Sequence, residues 1–119
     1  EKICLVTDAM RAAGLPDGKS FLGKRGEETP CIIEDGVAKL EDRSAFAGSV
    51  ATADRLVREM VRHADVSVWE AVKMITANPA RILGLQGKGS LKEGYDADLV
   101  IFDDEIQINT VIQDGTVVE

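Results

Sequence analysis

Ile3-Cys4-Leu5-Val6-Thr7 is a continuous apolar run that ends at Asp8. It does not alternate, so it cannot present one wet face and one dry face. Such a run reads as a strand buried on both faces, the kind found in parallel sheets and barrels. A strand of that type needs neighbours on both sides, and this constrains the architecture more than any other feature. Downstream, Gly14, Pro16, Asp17 and Gly18 mark residues 11–19 as a loop. Residues 20–44 read as β structure, with Cys31-Ile32-Ile33 and Val37-Ala38-Lys39-Leu40 flanking the hairpin signal Asp35-Gly36.

Residues 45–49 are small and flexible apart from Phe46. Helical periodicity then takes over. Leu56, Val57, Met60, Val61 and Ala64 share one face of a helix over 52–64, with Thr52 in place to cap it. Ser67 and Glu70 form a capping box that opens a second helix, with Val68, Ala71, Val72 and Ile75 inside. Asn78-Pro79 reads as cap and first residue of a short third helix that stops by Gly84. A glycine-rich turn region, Gly87 to Gly94, leads to the buried-type strand Leu99–Phe102. A closing hairpin pairs residues 108–112 with 116–118 around Asp114-Gly115. Neither β region has enough strands to close a sheet alone, so the two are expected to pair with each other. Residues 3–7 are then left wanting a different sheet.

Charge narrows the partners. The chain has 119 residues and a formal net charge of -7, and its Lys and Arg are scattered, with Lys24-Arg25 the only adjacent pair. That disfavours nucleic acid, whose backbone requires clustered cations. No apolar run approaches the roughly 20 residues that span a bilayer, and the start at Glu1 has no basic lead of the secretory kind. A cytoplasmic protein acting on small molecules fits best. A chain that begins without Met at the edge of a strand is expected to be a truncated piece of a longer protein.

Several motifs fail. Gly87-Lys88 has Ile82 where a phosphate-binding loop needs glycine, and Lys92 stands where a dinucleotide fingerprint needs one. Asp96-x-Asp98 is half a calcium loop without the rest and reads as a turn before a strand. His63 is the only histidine and sits near a helix end, where the dipole favours it. Cys4 and Cys31 have no metal-like spacing and read as reduced thiols. The chain cannot supply a zinc triad.

Asp8 remains. At the C-terminal end of a barrel strand it would stand where catalytic groups collect; equally, its carboxylate could cap the following turn. Around it the sequence resembles the N-acetylglucosamine-6-phosphate deacetylases. The similarity is carried by Leu5-Val6-Thr7-Asp8-Ala9-Met10 with Ala13-Gly14 and Asp17-Gly18, by Phe46-Ala47-Gly48-Ser49, by residues 78–85 from Asn78-Pro79-Ala80 to Leu85, and by Gly89-Ser90-Leu91 with residues 94–100 from Gly94-Tyr95-Asp96 to Val100. The last two stretches occur in many amidohydrolases; the first two point more narrowly to the sugar phosphate enzymes.

The resemblance implies an α/β fold: the last strand and outer helices of a metallo-hydrolase (β/α)8 barrel over residues 1–86, plus strands of a small β-sandwich over 87–119. Asp8 matches the family's catalytic aspartate. Phe46, Ala47 and Gly48 match a loop whose backbone lies against the sugar, although family members often carry Leu at the Phe46 position. A divalent metal of the zinc or iron type is implied, but its Glu and two His ligands, and the His and Arg that bind sugar and phosphate, come from earlier strands and are absent here. The chain alone is therefore expected to be inactive, and a homo-oligomer is expected. Two other readings stay open: another amidohydrolase, of dihydroorotase or adenine deaminase type, and a non-enzymatic assembly module.

Overall fold

Two Asp-Gly pairs turn the chain back on itself, and each organises one sheet. Asp35 and Gly36 have φ of 53° and 67°, and Asp114 and Gly115 have φ of 48° and 76°. Two successive positive φ values match the right-handed twist of flanking strands, which is why these residue pairs sit in tight hairpins. The computed structural model describes residues 2–118. Its backbone contacts divide the chain into two units: one spans Thr7–Ala53, and the other holds the residues up to Val6 and from Asp54 onward.

Thr7–Ala53 is built on an antiparallel meander of four strands in sequential order: β1 (Gly18–Leu22), β2 (Thr29–Glu34), β3 (Val37–Leu40) and β4 (Phe46–Gly48). Strand β1 thus begins inside the stretch expected to be loop. Register is set by Ser20 opposite Cys31 and by Ile33 opposite Ala38. One face alternates inward, and Cys31, Ile33, Ala38 and Ala47 gather there with Ala12 as a buried cluster. Met10, Leu22, Leu40 and Val50 pack around it. Three of the five central residues are alanines, so this core is thin and sensitive to added volume.

In the other unit, α1 (Ala53–His63), α2 (Val68–Ile75) and α3 (Ala77–Ile82) precede a second antiparallel sheet of β5 (Leu99–Phe102), β6 (Ile108–Gln113) and β7 (Thr116–Val117). The capping box forms as expected: Ser67 Oγ accepts from Glu70 N–H at 3.3 Å, and Glu70 Oε2 accepts from Ser67 N–H at 3.1 Å. Val57, Ala71 and Ile106 are the buried centre, with Met60, Val61, Val66, Val72, Ile75 and Phe102 around them.

Four expectations are corrected. Residues 2–8 lie in no strand. Leu5 N–H donates to Met74 O at 2.9 Å and Ile3 O accepts from Asn78 Nδ2 at 2.8 Å, but no described segment supplies the ladder a strand requires. The two β regions do not pair; each closes its own sheet, because each carries its own turn and enough strands for local pairing. Asn78 is not a cap: it is the second residue of α3, buried, and its amide serves the Ile3 carbonyl. Phe46–Gly48 is not a loop but the fourth strand of the first sheet.

Candidate active site around Asp8

Asp8 begins where the extended chain meets the first sheet. Its φ is 45°, a left-handed conformation that Asp tolerates better than most residues because its short polar side chain crowds little. The next residue, Ala9, forms a parallel bridge to Ser49. Met10 N–H donates to Ser49 O at 2.8 Å. The chain then turns, with Ala13 N–H to Met10 O at 3.0 Å and Leu15 N–H to Ala12 O at 3.1 Å, and Ala12 plugs the sheet cluster.

The alternative reading of Asp8 as a turn cap finds no support in the geometry. Other turn aspartates of this protein are engaged: Asp17 Oδ2 accepts from Asp35 N–H at 2.7 Å, Asp42 Oδ1 from Ser44 N–H at 3.0 Å, and Asp103 Oδ1 from Gln107 N–H at 2.9 Å. The Asp8 carboxylate is exposed and makes no hydrogen bond or ion pair among the described residues.

The bridge brings the expected sugar-binding residues beside it. Asp8 and Gly48 are the residues that immediately precede the bridged pair Ala9 and Ser49. Phe46 lies opposite Lys39 and Gly48 opposite Ala38, with a bulge between Ala38 and Lys39. Ala47 points into the core, whereas Phe46 is 80% exposed. Gly48 has φ 131°, a backbone conformation open to glycine alone. A Cβ there would meet Met10 Sδ at 3.6 Å and Leu22 Cδ1 at 3.8 Å. Asp8, an exposed aromatic ring and a bare backbone thus share one edge of the sheet.

The remaining candidates lie elsewhere in chemistry. His63 is exposed, 3.5 Å from Glu59. Cys4 is half-buried and Cys31 buried, both as free thiols. Asp96 and Asp98 flank the Lys88 ammonium, which holds Asp98 below the usual carboxylate range, and the two carboxylates push the Lys88 pKa up. The two carboxylates and Lys88 form an ion-paired turn. Among the described residues no group of three or more His, Cys, Asp or Glu is arranged to hold a metal. One contact escaped sequence reasoning. Arg11, three residues after Asp8, donates to Gly23 O at 2.6 Å and to Glu28 Oε1 at 3.1 Å. No sequence signal marks a long-range pair of this kind.

Comparison with known proteins gives a consistent set. The amidohydrolase family pattern matches residues 5–118. The N-acetylglucosamine-6-phosphate deacetylase of Lysinibacillus sphaericus is 42% identical over 115 residues, which is 97% of this chain and 28% of that protein. The N-acetylgalactosamine-6-phosphate deacetylase of Escherichia coli O157:H7 is 40% identical over 112 residues, again 28% of that protein. Among solved structures, the Thermotoga maritima N-acetylglucosamine-6-phosphate deacetylase matches with a TM-score of 0.83 at 36% identity, over 98% of this chain and 31% of that one. The Mycobacterium smegmatis enzyme, solved as an aspartate-to-alanine variant in complex with N-acetyl-D-glucosamine-6-phosphate, matches with a TM-score of 0.83 at 34% identity, over 97% of this chain and 30% of that one. The chain spans less than a third of the length of these relatives.

Proposed function

This chain belongs to the amidohydrolase family, and we propose that it is the C-terminal part of a deacetylase that hydrolyses the N-acetyl group of N-acetylglucosamine 6-phosphate, yielding glucosamine 6-phosphate and acetate. On this reading residues 1–86 belong to the catalytic (β/α)8 barrel and residues 87–119 to a small β-sandwich, and the intact enzyme is a cytoplasmic, metal-dependent homo-oligomer. The observation that carries the reading is the Ala9–Ser49 bridge, which sets a free carboxylate beside Phe46–Gly48.

Asp8 is the proton carrier. As a carboxylate it accepts a proton from the attacking water as the carbon–oxygen bond forms. As the acid so generated it hands that proton to the departing amine when the carbon–nitrogen bond breaks. One group serves both steps, so it ends as it began. Gly48, with no side chain, lets the sugar ring approach the backbone, and Phe46 offers an exposed apolar surface to it. The described residues do not by themselves fit the divalent metal of the zinc or iron type that the family resemblance implies; its ligands would come from the rest of the enzyme. The chain's own contribution is proton transfer and ring positioning.

The near-equal similarity of the galactosamine relative favours a second reading in which the sugar is the C4 epimer. The test is a direct comparison of the two sugar phosphates with the intact enzyme that contains this chain. Faster release of acetate from the glucosamine compound is expected. Preference for the galactosamine compound would replace the substrate, and inactivity toward both would overturn the deacetylase reading.

A further inference from the structure

Asp8, Asp35 and Asp114 all hold a left-handed backbone, with φ of 45°, 53° and 48°. Asp35 and Asp114 are each followed by glycine in a tight hairpin whose turn calls for positive φ. Asp8 is followed by Ala9, which bridges Ser49, so no hairpin turn sets its backbone. A residue other than glycine persists in this region only where its surroundings over-determine it. Within the unit Thr7–Ala53 only Thr7 precedes Asp8, and the constraint comes from the residues that follow.

Four consecutive residues supply it. Ala9 bridges Ser49, Met10 N–H donates to Ser49 O at 2.8 Å, and Ala12 is buried in the sheet cluster. Ser49 directly follows β4, so two of these contacts fasten the segment to one edge strand of the sheet. Arg11 reaches the other edge. Its guanidinium donates to Gly23 O at 2.6 Å and to Glu28 Oε1 at 3.1 Å. Gly23 and Glu28 stand one residue beyond Leu22 and Thr29, the last register pair of β1 and β2. Glu28 is itself held, since its Oε2 accepts from Gly26 N–H at 3.3 Å. A segment fastened at one edge can pivot about it; fastened at both, it cannot. The sheet itself does not depend on Arg11. The β1–β2 ladder pairs from Gly18 to Leu22 without it, and the Arg11 side chain is 43% exposed, where an ion pair contributes little to stability.

We propose that Arg11 is the positioning residue of Asp8. The inference rests on the deacetylase reading with Asp8 as proton carrier, and it names what aims that carboxylate. Proton transfer needs the carboxylate within hydrogen-bond reach of the attacking water and then of the departing amine. A misplacement of about 1 Å can lower the rate about 10²-fold. The Asp8 side chain has no hydrogen bond of its own among the described residues, so its backbone aims it, and Arg11 completes the hold on that backbone.

The test uses the intact enzyme with Arg11→Gln, Asp8→Asn and the two combined, read as kcat and KM for N-acetylglucosamine 6-phosphate and as melting temperature. Arg11→Gln should lower kcat about tenfold, part of the loss a misplaced group can cause, with KM and melting temperature nearly unchanged. Added to Asp8→Asn it should lower the residual kcat no further, because residues that act as a unit are not additive. Arg11→Lys and Glu28→Gln each keep one arm of the clamp, so both should fall between parent and Arg11→Gln, and they carry the test if Arg11→Gln does not fold. Unchanged kcat in all three overturns the proposal. So does the same fold-loss with and without the Asp8 carboxylate, which would make Arg11 merely structural. A parent enzyme that turns over neither hexosamine phosphate overturns the deacetylase reading and this proposal with it; an active parent that passes none of the Arg11 tests overturns the proposal alone.

Discussion

The two sheets read alike in sequence and are built differently. Each has an Asp-Gly turn, β-branched residues and short strands. The β1–β4 sheet buries Cys31, Ile33, Ala38 and Ala47 against Ala12, a residue of its own unit. The β5–β7 sheet leaves Val100, Ile101, Ile108 and Val117 between 40% and 64% exposed. Only Phe102, and Ile106 just after the strand, join the helical core. Turn chemistry and alternation specify which strands pair and in what register; they do not specify what covers the face. The first sheet is covered by a turn close in sequence, and it is the sheet that carries Asp8 and the Phe46–Gly48 edge.

The largest effect expected from this difference is chemical. In the intact enzyme Asp8→Asn should lower turnover by about 10²–10⁴-fold, the usual share of a general acid–base group, with little change in the melting temperature. The Asp8 side chain holds nothing in place among the described residues, so the sheet should not notice its loss. Near-normal turnover in the Asn variant would remove Asp8 as proton carrier. A large drop in stability would instead make it a structural residue and blur the contrast between a self-contained sheet and the site on its edge.

Stability should separate the sheets next. Ile33→Ala removes a buried side chain from the first sheet and should cost about 2–5 kcal/mol. Val100→Thr on the exposed surface of the second should stay within about 0.5 kcal/mol. Urea unfolding of both variants gives the comparison, and equal costs would abolish it. Association should separate them as well. If a second copy covers the exposed apolar residues of β5–β7, a pair of chains should bury more than about 1,000 Å², and Ile101→Lys should shift the 119-residue chain toward monomer in sedimentation. A 119-residue chain that is monomeric at micromolar concentration would show that a second copy does not cover this face.

Local signals in the sequence reached far. The Asp35-Gly36 and Asp114-Gly115 turns, the inward face of α1 at Val57, Met60 and Val61, and the Ser67–Glu70 box were all legible because each depends on residues a few positions apart. What failed was long-range. Ile3–Thr7 reads as a strand because its composition is that of one, yet a strand exists only with a partner, and none is described beside it. Asn78 before Pro79 reads as a cap, but its amide is taken by Ile3 O, 75 positions away. At the site, Asp8 stood out through the motif around it. Its nearness to Gly48 depends on the Ala9–Ser49 bridge, and the Arg11–Glu28 clamp crosses 17 positions. No periodicity reports such contacts.

The smallest expected effect concerns how the second sheet is moored. Lys88 sits between Asp96, at 2.8 Å, and Asp98. Asp98 Oδ1 also accepts from Asp114 N–H at 3.0 Å, at the hairpin turn of β6 and β7. These groups are well exposed, so solvent screens the pairs and each contributes little. The sign of the pH dependence is still fixed. The Lys88 hydrogen bond, and then the Asp114 N–H, hold the Asp98 pKa down in the folded protein. Its stabilisation is thus present above the unfolded value of about 3.9 and is lost as pH falls through the lower folded value. The two carboxylates raise Lys88, so its part is present below about 10.4 and is lost as pH rises through the higher folded value. Lys88→Met should therefore lower the melting temperature slightly across the neutral range, and the gap to the parent should close on acidification through the Asp98 titration. Amide exchange at Asp114 should quicken in the variant at pH 7, while exchange at Ile33 in the first sheet stays unchanged. A gap of the same size at pH 7 and well below the Asp98 titration would mean that Lys88 acts through its aliphatic stem, and faster exchange in both sheets would mean that the mooring is not local to the second.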